Sequence, residues 1–226
     1  MAVPEGEKGG VHRLGAEPSF MPHVRTRCKG LPVPLLTHTF GRERNRVPAL
    51  SVYSEGDRLL GAVAPLALGA AADTALVVDL DPEGPHYPGQ GSLASLKEAG
   101  PRRADLRASR RGLAVLRNGG VRSHTVADIV DALIDGWPAV VLRMAEPSPW
   151  SERAPMVSVH ALLPGMLIPP EGDRVVYQRT SFAVPAPRGG VVVPMPSLDA
   201  VARLLGGVAP THSRWIRAWR EVWRWA

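Results

Sequence analysis

Thr74-Ala75-Leu76-Val77-Val78-Asp79-Leu80-Asp81-Pro82-Glu83-Gly84 is the stretch whose reading decides the fold. Thr74 to Leu80 is a near-continuous apolar run. A strand with one wet face alternates polar and apolar residues, whereas a run without alternation suits a strand covered on both faces of a parallel sheet. Asp81-Pro82-Glu83-Gly84-Pro85 then ends it sharply, in residues that favour turns. Working upstream, Arg58 to Ala72 reads as a buried, Ala-rich helix, Ser54-Glu55-Gly56-Asp57 as a turn, and Ala49 to Tyr53 as a short strand.

Downstream, a Gly/Pro-containing loop (84–91) leads to a short helix around Ser92 to Glu98. Gly112 to Leu116 reads as a strand ending in Asn118-Gly119-Gly120. Ser123 to Ile134 has a helical period, with Val126, Ile129, Val130 and Leu133 on one side. Pro138 to Met144 is a strand, and Met156 to Leu163 another, whose alternation suggests a mixed or edge position. Val175 to Gln178 and Gly190 to Pro194 are weaker strands. Leu198 to Leu205 is a helix closed by Gly206-Gly207, and Thr211 to Trp225 a terminal helix. Strands alternating with helices predict an α/β three-layer sandwich with a mostly parallel sheet.

Charge divides the chain more sharply than its net +6 implies. Residues 1–46 carry eight Lys/Arg against four Asp/Glu, and 211–226 four Arg against one Glu. The stretch between is near neutral. Residues 1–46, rich in Pro, Gly, Arg and His, hold no lasting period and read as an extended or disordered basic arm. The expected organisation is therefore an arm at 1–46, an α/β domain at 47–210 and an amphipathic helix at 211–226. Cys28 is the single cysteine, so no intrachain disulfide can form. No Cys/His cluster has zinc spacing, and no run of about 18 apolar residues occurs. A cytoplasmic protein is expected, with nucleoid association if the basic segments meet DNA.

The segment Ala75 to Gly84 resembles the second strand and D-x-D-P-x-G-like signature of the ParA/MinD-type deviant Walker ATPases. The preceding order of strand, glycine-containing turn and Ala-rich helix is similar as well. So is Arg111 to Leu116 followed by Asn118-Gly119-Gly120. The resemblance covers roughly residues 47–210 and implies a P-loop NTPase fold. It also implies positioning work such as chromosome or plasmid segregation, septum placement or polar localisation.

That family's phosphate loop would fall between strand 49–53 and helix 58–72. There, backbone amides cradle phosphate, a lysine neutralises its charge and a Ser/Thr hydroxyl holds magnesium. This chain offers Ser54, Gly56, Asp57 and Arg58, with Asp57 about where the lysine would stand and Arg58-Leu59 near the hydroxyl positions. A carboxylate beside a triphosphate is repulsive, and an Arg fork does not replace a Lys point charge in a tight loop. Asp79 and Asp81 would help organise magnesium and water in an active relative; otherwise they end a strand and cap a turn. The degenerate nucleotide site is thus Ser54, Gly56, Asp57, Arg58, Asp79 and Asp81. No catalytic residue, metal ligand or resident cofactor is expected, ATP with magnesium being the alternative.

Two further features carry binding readings. Lys97 to Arg122 is the densest basic segment. Its Arg102, Arg103, Arg107, Arg110, Arg111 and Arg117 are candidates for sequence-independent DNA contacts or for a solvated loop. Trp215, Trp219 and Trp223 recur at helical spacing among arginines that include Arg220. This stripe could pack on the domain's own core, dock on a partner or lie on a membrane surface. The expected function is a non-hydrolysing scaffold or positioning protein that binds a protein partner or itself, and non-specific DNA. The alternatives are a nucleotide-sensing or active ATPase with an atypical loop, and a basic nucleoid protein.

Overall fold

The computed structural model describes residues 48–226 except 90, 103, 107, 109, 110 and 167–173. The arm expected at 1–46 lies outside the described residues. Seven strands form one sheet: β1 (Ala49–Tyr53), β2 (Thr74–Asp79), β3 (Gly112–Leu116), β4 (Val140–Arg143), β5 (Met156–Ala161), β6 (Val175–Gln178) and β7 (Val191–Val193). Their spatial order is β3-β2-β4-β1-β5-β6-β7, and every pairing is parallel.

Among the described residues the α-helices are α1 (Arg58–Ala70), α2 (Leu93–Ala99), α3 (Ala127–Gly136), α4 (Leu198–Leu205) and α5 (Arg214–Ala218). One face of the sheet packs its Leu50, Val52, Val141, Val157 and Val176 against α1, α4 and α5. The other packs Leu76, Val78, Val140 and Leu142 against α2 and α3. Three layers result, with β1 in the middle of the sheet. Helix α1 lies close over β2 and β3 because position 69 is glycine. A Cβ there would stand 2.7 Å from Leu113 Cδ1 and 2.8 Å from Val77 Cγ2.

Two local expectations are corrected. Strand β5 is neither mixed nor at an edge; it runs parallel between β1 and β6. Its alternation arises because Val157, Val159 and Ala161 meet the α1 side while Met156 and Ser158 are only partly covered. The terminal segment is not one helix from 211 to 225. Helix α5 stops at Ala218, and Trp219–Trp225 tighten into a 3-10 helix. Among the described residues no helix is long and apolar enough to cross a membrane.

Candidate functional site

The carboxyl end of β2 is a chain of turns built by aspartates. Asp79, fully buried, accepts the Asp81 amide at 3.1 Å. Asp81 Oδ1 in turn accepts the Glu83 amide at 3.0 Å and the Gly84 amide at 2.9 Å. Asn118 Nδ2 donates to the Asp79 carbonyl at 3.3 Å, which ties the Asn118-Gly119-Gly120 turn to this strand end. Both carboxylates therefore end a strand and hold the turn after it.

Arg143, the last residue of β4, stands directly across from Asp79 in the β2–β4 register. Only 2% of it is exposed. Its Nη2 donates to Asp81 Oδ2 at 2.8 Å, and its Nη1 to the Pro85 carbonyl at 2.6 Å and to Asp79 at 3.4 Å. The guanidinium also lies 5.2 Å from the Tyr87 ring centre, within cation–π range. Tyr87 in turn donates its hydroxyl to the Ala62 carbonyl of α1 at 2.7 Å, linking this cluster to the helix. Gly84 leaves the space for all of this. A Cβ at that position would land inside van der Waals contact of Arg143 Nη2 and Asp81 Oδ2.

Burial raises the Asp79 carboxyl to about 6, and Arg143 and the Asp81 amide only partly offset it. The long 3.4 Å contact explains why the cation does not win: Arg143 makes its shorter contacts to Asp81 and Pro85.

At the neighbouring end of β1, the chain reaches α1 through Ser54, Glu55, Gly56 and Asp57. Gly56 takes a positive φ of 69°, which permits the tight reversal. Asp57 is the N-cap of α1, its Oδ1 accepting the Leu60 amide at 2.8 Å. Ser54 Oγ is buried without a hydrogen-bond partner. A cleft of about 420 Å³ opens between these elements, lined by Ser54, Gly56, Asp57, Arg58 and Asp81 among others. Its carboxylates are Asp57, Asp81, Glu83 and Glu146, and its cations Arg58 and Arg143. It lies over the carboxyl ends of β1, β2 and β4, where the chain's direction of travel across the sheet reverses; ligands of open α/β sheets bind at such a place.

The sequence matches no protein-family model and no curated protein.

Of the residues named from sequence, Ser54, Gly56, Asp57, Arg58 and Asp81 line the cleft, and Asp79 lies beneath it. The arginine group is not brought to one place among the described residues. Arg111 precedes β3 and Arg117 follows it, about 20 Å apart along an extended strand. Arg102 is exposed in the loop before them, and Arg103, Arg107 and Arg110 lie outside the described residues. Trp215 and Trp219 are buried in the domain's own core. Trp215 Nε1 donates to Gln178 Oε1 at 2.8 Å, and Trp223 Nε1 to the Leu68 carbonyl at 3.1 Å. Arg220 remains exposed beside them.

Sequence reasoning missed Arg143, Tyr87 and Glu146. The available signal was an arginine closing the otherwise apolar run Val140-Val141-Leu142. Among the described residues no group of three or more His, Cys, Asp or Glu side chains is placed to hold a metal ion.

Proposed function

We propose that the protein is a non-hydrolysing scaffold or positioning module of ParA/MinD-like architecture that works by binding a protein partner. The observation that carries this reading is the capped start of α1. A helix N-terminus attracts anions because its first amides lack partners. Here the Asp57 carboxylate already takes the Leu60 amide, so an internal anion sits where a phosphate would be received.

Three further points support it. Only Ser54, Glu55 and Gly56 separate β1 from Asp57, too few for the six-residue G-x-x-x-x-G that precedes the lysine of a phosphate loop. A triphosphate in the cleft would meet the carboxylates of Asp57, Glu83 and Glu146 against the cation of Arg58, each like-charge pair costing about 1–4 kcal/mol at 4 Å for effective dielectrics between 80 and 20. Arg143 and Asp81, which also line the cleft, are paired with each other and largely cancel. The all-parallel sheet and the cleft at its carboxyl ends fit the architectural half of the reading.

Calorimetric titration with ATP and ADP in the presence of magnesium tests it. No heat of binding is expected from the wild type. Asp57→Lys, which removes the internal anion and adds a cation, is expected to take up nucleotide more strongly than the wild type. Saturable, magnesium-dependent ATP binding by the unaltered chain overturns the reading.

A further inference from the structure

The sheet ends in β3 on one side and β7 on the other. Val191 and Val193 of β7 are buried, in the core that also holds Trp215 and Trp219. Gly112 to Val115 of β3 are only partly covered. A groove of about 350 Å³ runs beside them. Its lining includes Leu113 and Val115, which pack toward the α1 face, and Ala114 and Trp137, which belong to the opposite face. A groove bordered from both faces of a sheet lies along the outer edge of its last strand.

The main chain of β3 shows what is left unpaired there. Gly112 donates its amide inward, to the Asp73 carbonyl at 3.0 Å. Successive strand residues turn their amide and carbonyl groups to opposite edges. Ala114 and Leu116 therefore face β2 with Gly112, while Leu113, Val115 and Arg117 face outward. Arg117 obeys this alternation, since its carbonyl accepts the Leu93 amide at 2.9 Å in the bridge between Ser92 and Arg117. The outward amides and carbonyls of Leu113 and Val115 have no such partner among the described residues. Four main-chain groups are thus left in line over about 7 Å.

Proteins blunt an exposed edge with a charge, a proline or a bulge. Gly112 to Leu116 contains neither charge nor proline, and its register with β2 is unbroken. An edge of this kind accepts an added strand through main-chain hydrogen bonds.

The surroundings decide whose strand it is. Among the described residues lining the groove, Arg111 is the charged one, and it is exposed. Residues 101–111, which lead into β3, carry five arginines against one aspartate. A second copy paired about a two-fold axis, in the register that uses both Leu113 and Val115, would set Arg111 opposite the copy's Arg117. Like charges directly opposite are destabilising. Duplex DNA would meet the arginines but leave the four main-chain groups unanswered.

We infer that β3 is extended by a strand from a different protein, whose main chain pairs with Leu113 and Val115 and whose acidic side chain lies beside Arg111. The inference rests on the partner-binding reading above and names the partner's chemistry, an extended β-branched segment flanked by acid.

Amide exchange followed by NMR on the full chain is the test. In the free chain Leu113 and Val115 are expected to exchange at least a hundredfold faster than Ala114 and Leu116. The probe is a blocked nine-residue peptide of alternating valine and threonine with glutamate at each end. It is expected to slow Leu113 and Val115 at least tenfold and to leave Ala114 as it was. Methylating the peptide's central amides, with every side chain kept, is expected to abolish that protection. Arg111→Glu, at an exposed position, is expected to weaken the glutamate peptide about tenfold and to favour a lysine-ended version, with the melting temperature unchanged.

Slow exchange at Leu113 and Val115 without peptide, protection that survives methylation, or indifference to Arg111→Glu overturns the inference. So does protection that rises with chain concentration alone, which marks a second copy, or duplex DNA that binds where the peptide does not. Magnesium-ATP titrated into the same chain separates the two readings. Nucleotide binding with the peptide response intact sinks only the inert-cleft reading; silence toward both ligands sinks only the edge inference.

Discussion

Arg143 is a cation removed from water, and the groups around it decide whether that is tolerable. Two carboxylates, a carbonyl and an aromatic face surround it. Removing one partner of a buried ion pair leaves the other charge uncompensated, at a cost of about 3–5 kcal/mol. Arg143→Ala is expected to lose that much in urea unfolding. Gly84→Ala should disturb the same cluster from the opposite side, by forcing a methyl group into the guanidinium's place.

Asp79 gives the cluster a pH signature. Its folded carboxyl sits at about 6 against an ordinary 3.8, so the native state binds the proton more tightly than the unfolded chain. Its contribution to stability is present in full below about pH 4 and is lost as pH rises through 6, a swing on the order of 3 kcal/mol. Asp79→Asn cannot titrate. The wild type's unfolding free energy, taken relative to this variant, is expected to fall between pH 4 and pH 7; a constant difference across that range contradicts the assignment.

At the scale of elements, the start of α1 and the end of the chain are the informative places. Asp57→Ala removes the cap and is expected to cost about 1 kcal/mol, whereas Asp57→Asn retains an acceptor and should cost less. Trp219 is fully buried and its Nε1 finds no partner. Trp219→Ala should cost about 3–5 kcal/mol by leaving a cavity, while Trp219→Phe keeps most of the ring and sheds the unpaired N–H. Denaturant curves for the two variants should therefore separate widely. Strands β1, β2 and β3 were legible in the sequence because short apolar runs bounded by turn residues admit few other readings. The Asp79–Arg143 contact was not, since 64 residues separate the two and only the strand order makes them neighbours. The cap role of Asp57 was hidden for a different reason. Its spacing matched a family lysine, and spacing says nothing about which backbone amide a carboxylate will meet. The tryptophan stripe kept three readings open because periodicity names a face, not what covers it; the covering surface is α1 and the strands beneath.

For the domain as a whole, both α1 and α5 contribute to the larger core cluster on one face of the sheet. Unfolding followed by tryptophan fluorescence and by far-ultraviolet circular dichroism is therefore expected to give coincident curves. A plateau in one signal before the other moves would mean that the terminal segment melts separately.

The strand order also carries a consequence for how the protein is made. Strand β1 ends at Tyr53, but its two neighbours in the sheet, β4 and β5, begin only at Val140 and Met156. At about 5–20 residues per second, roughly 5 to 20 seconds of synthesis separate a strand from its partners. Throughout that interval the Leu- and Ala-rich face of α1 has no sheet centre to cover, so the nascent chain is a natural client for whatever shields apolar segments at the ribosome.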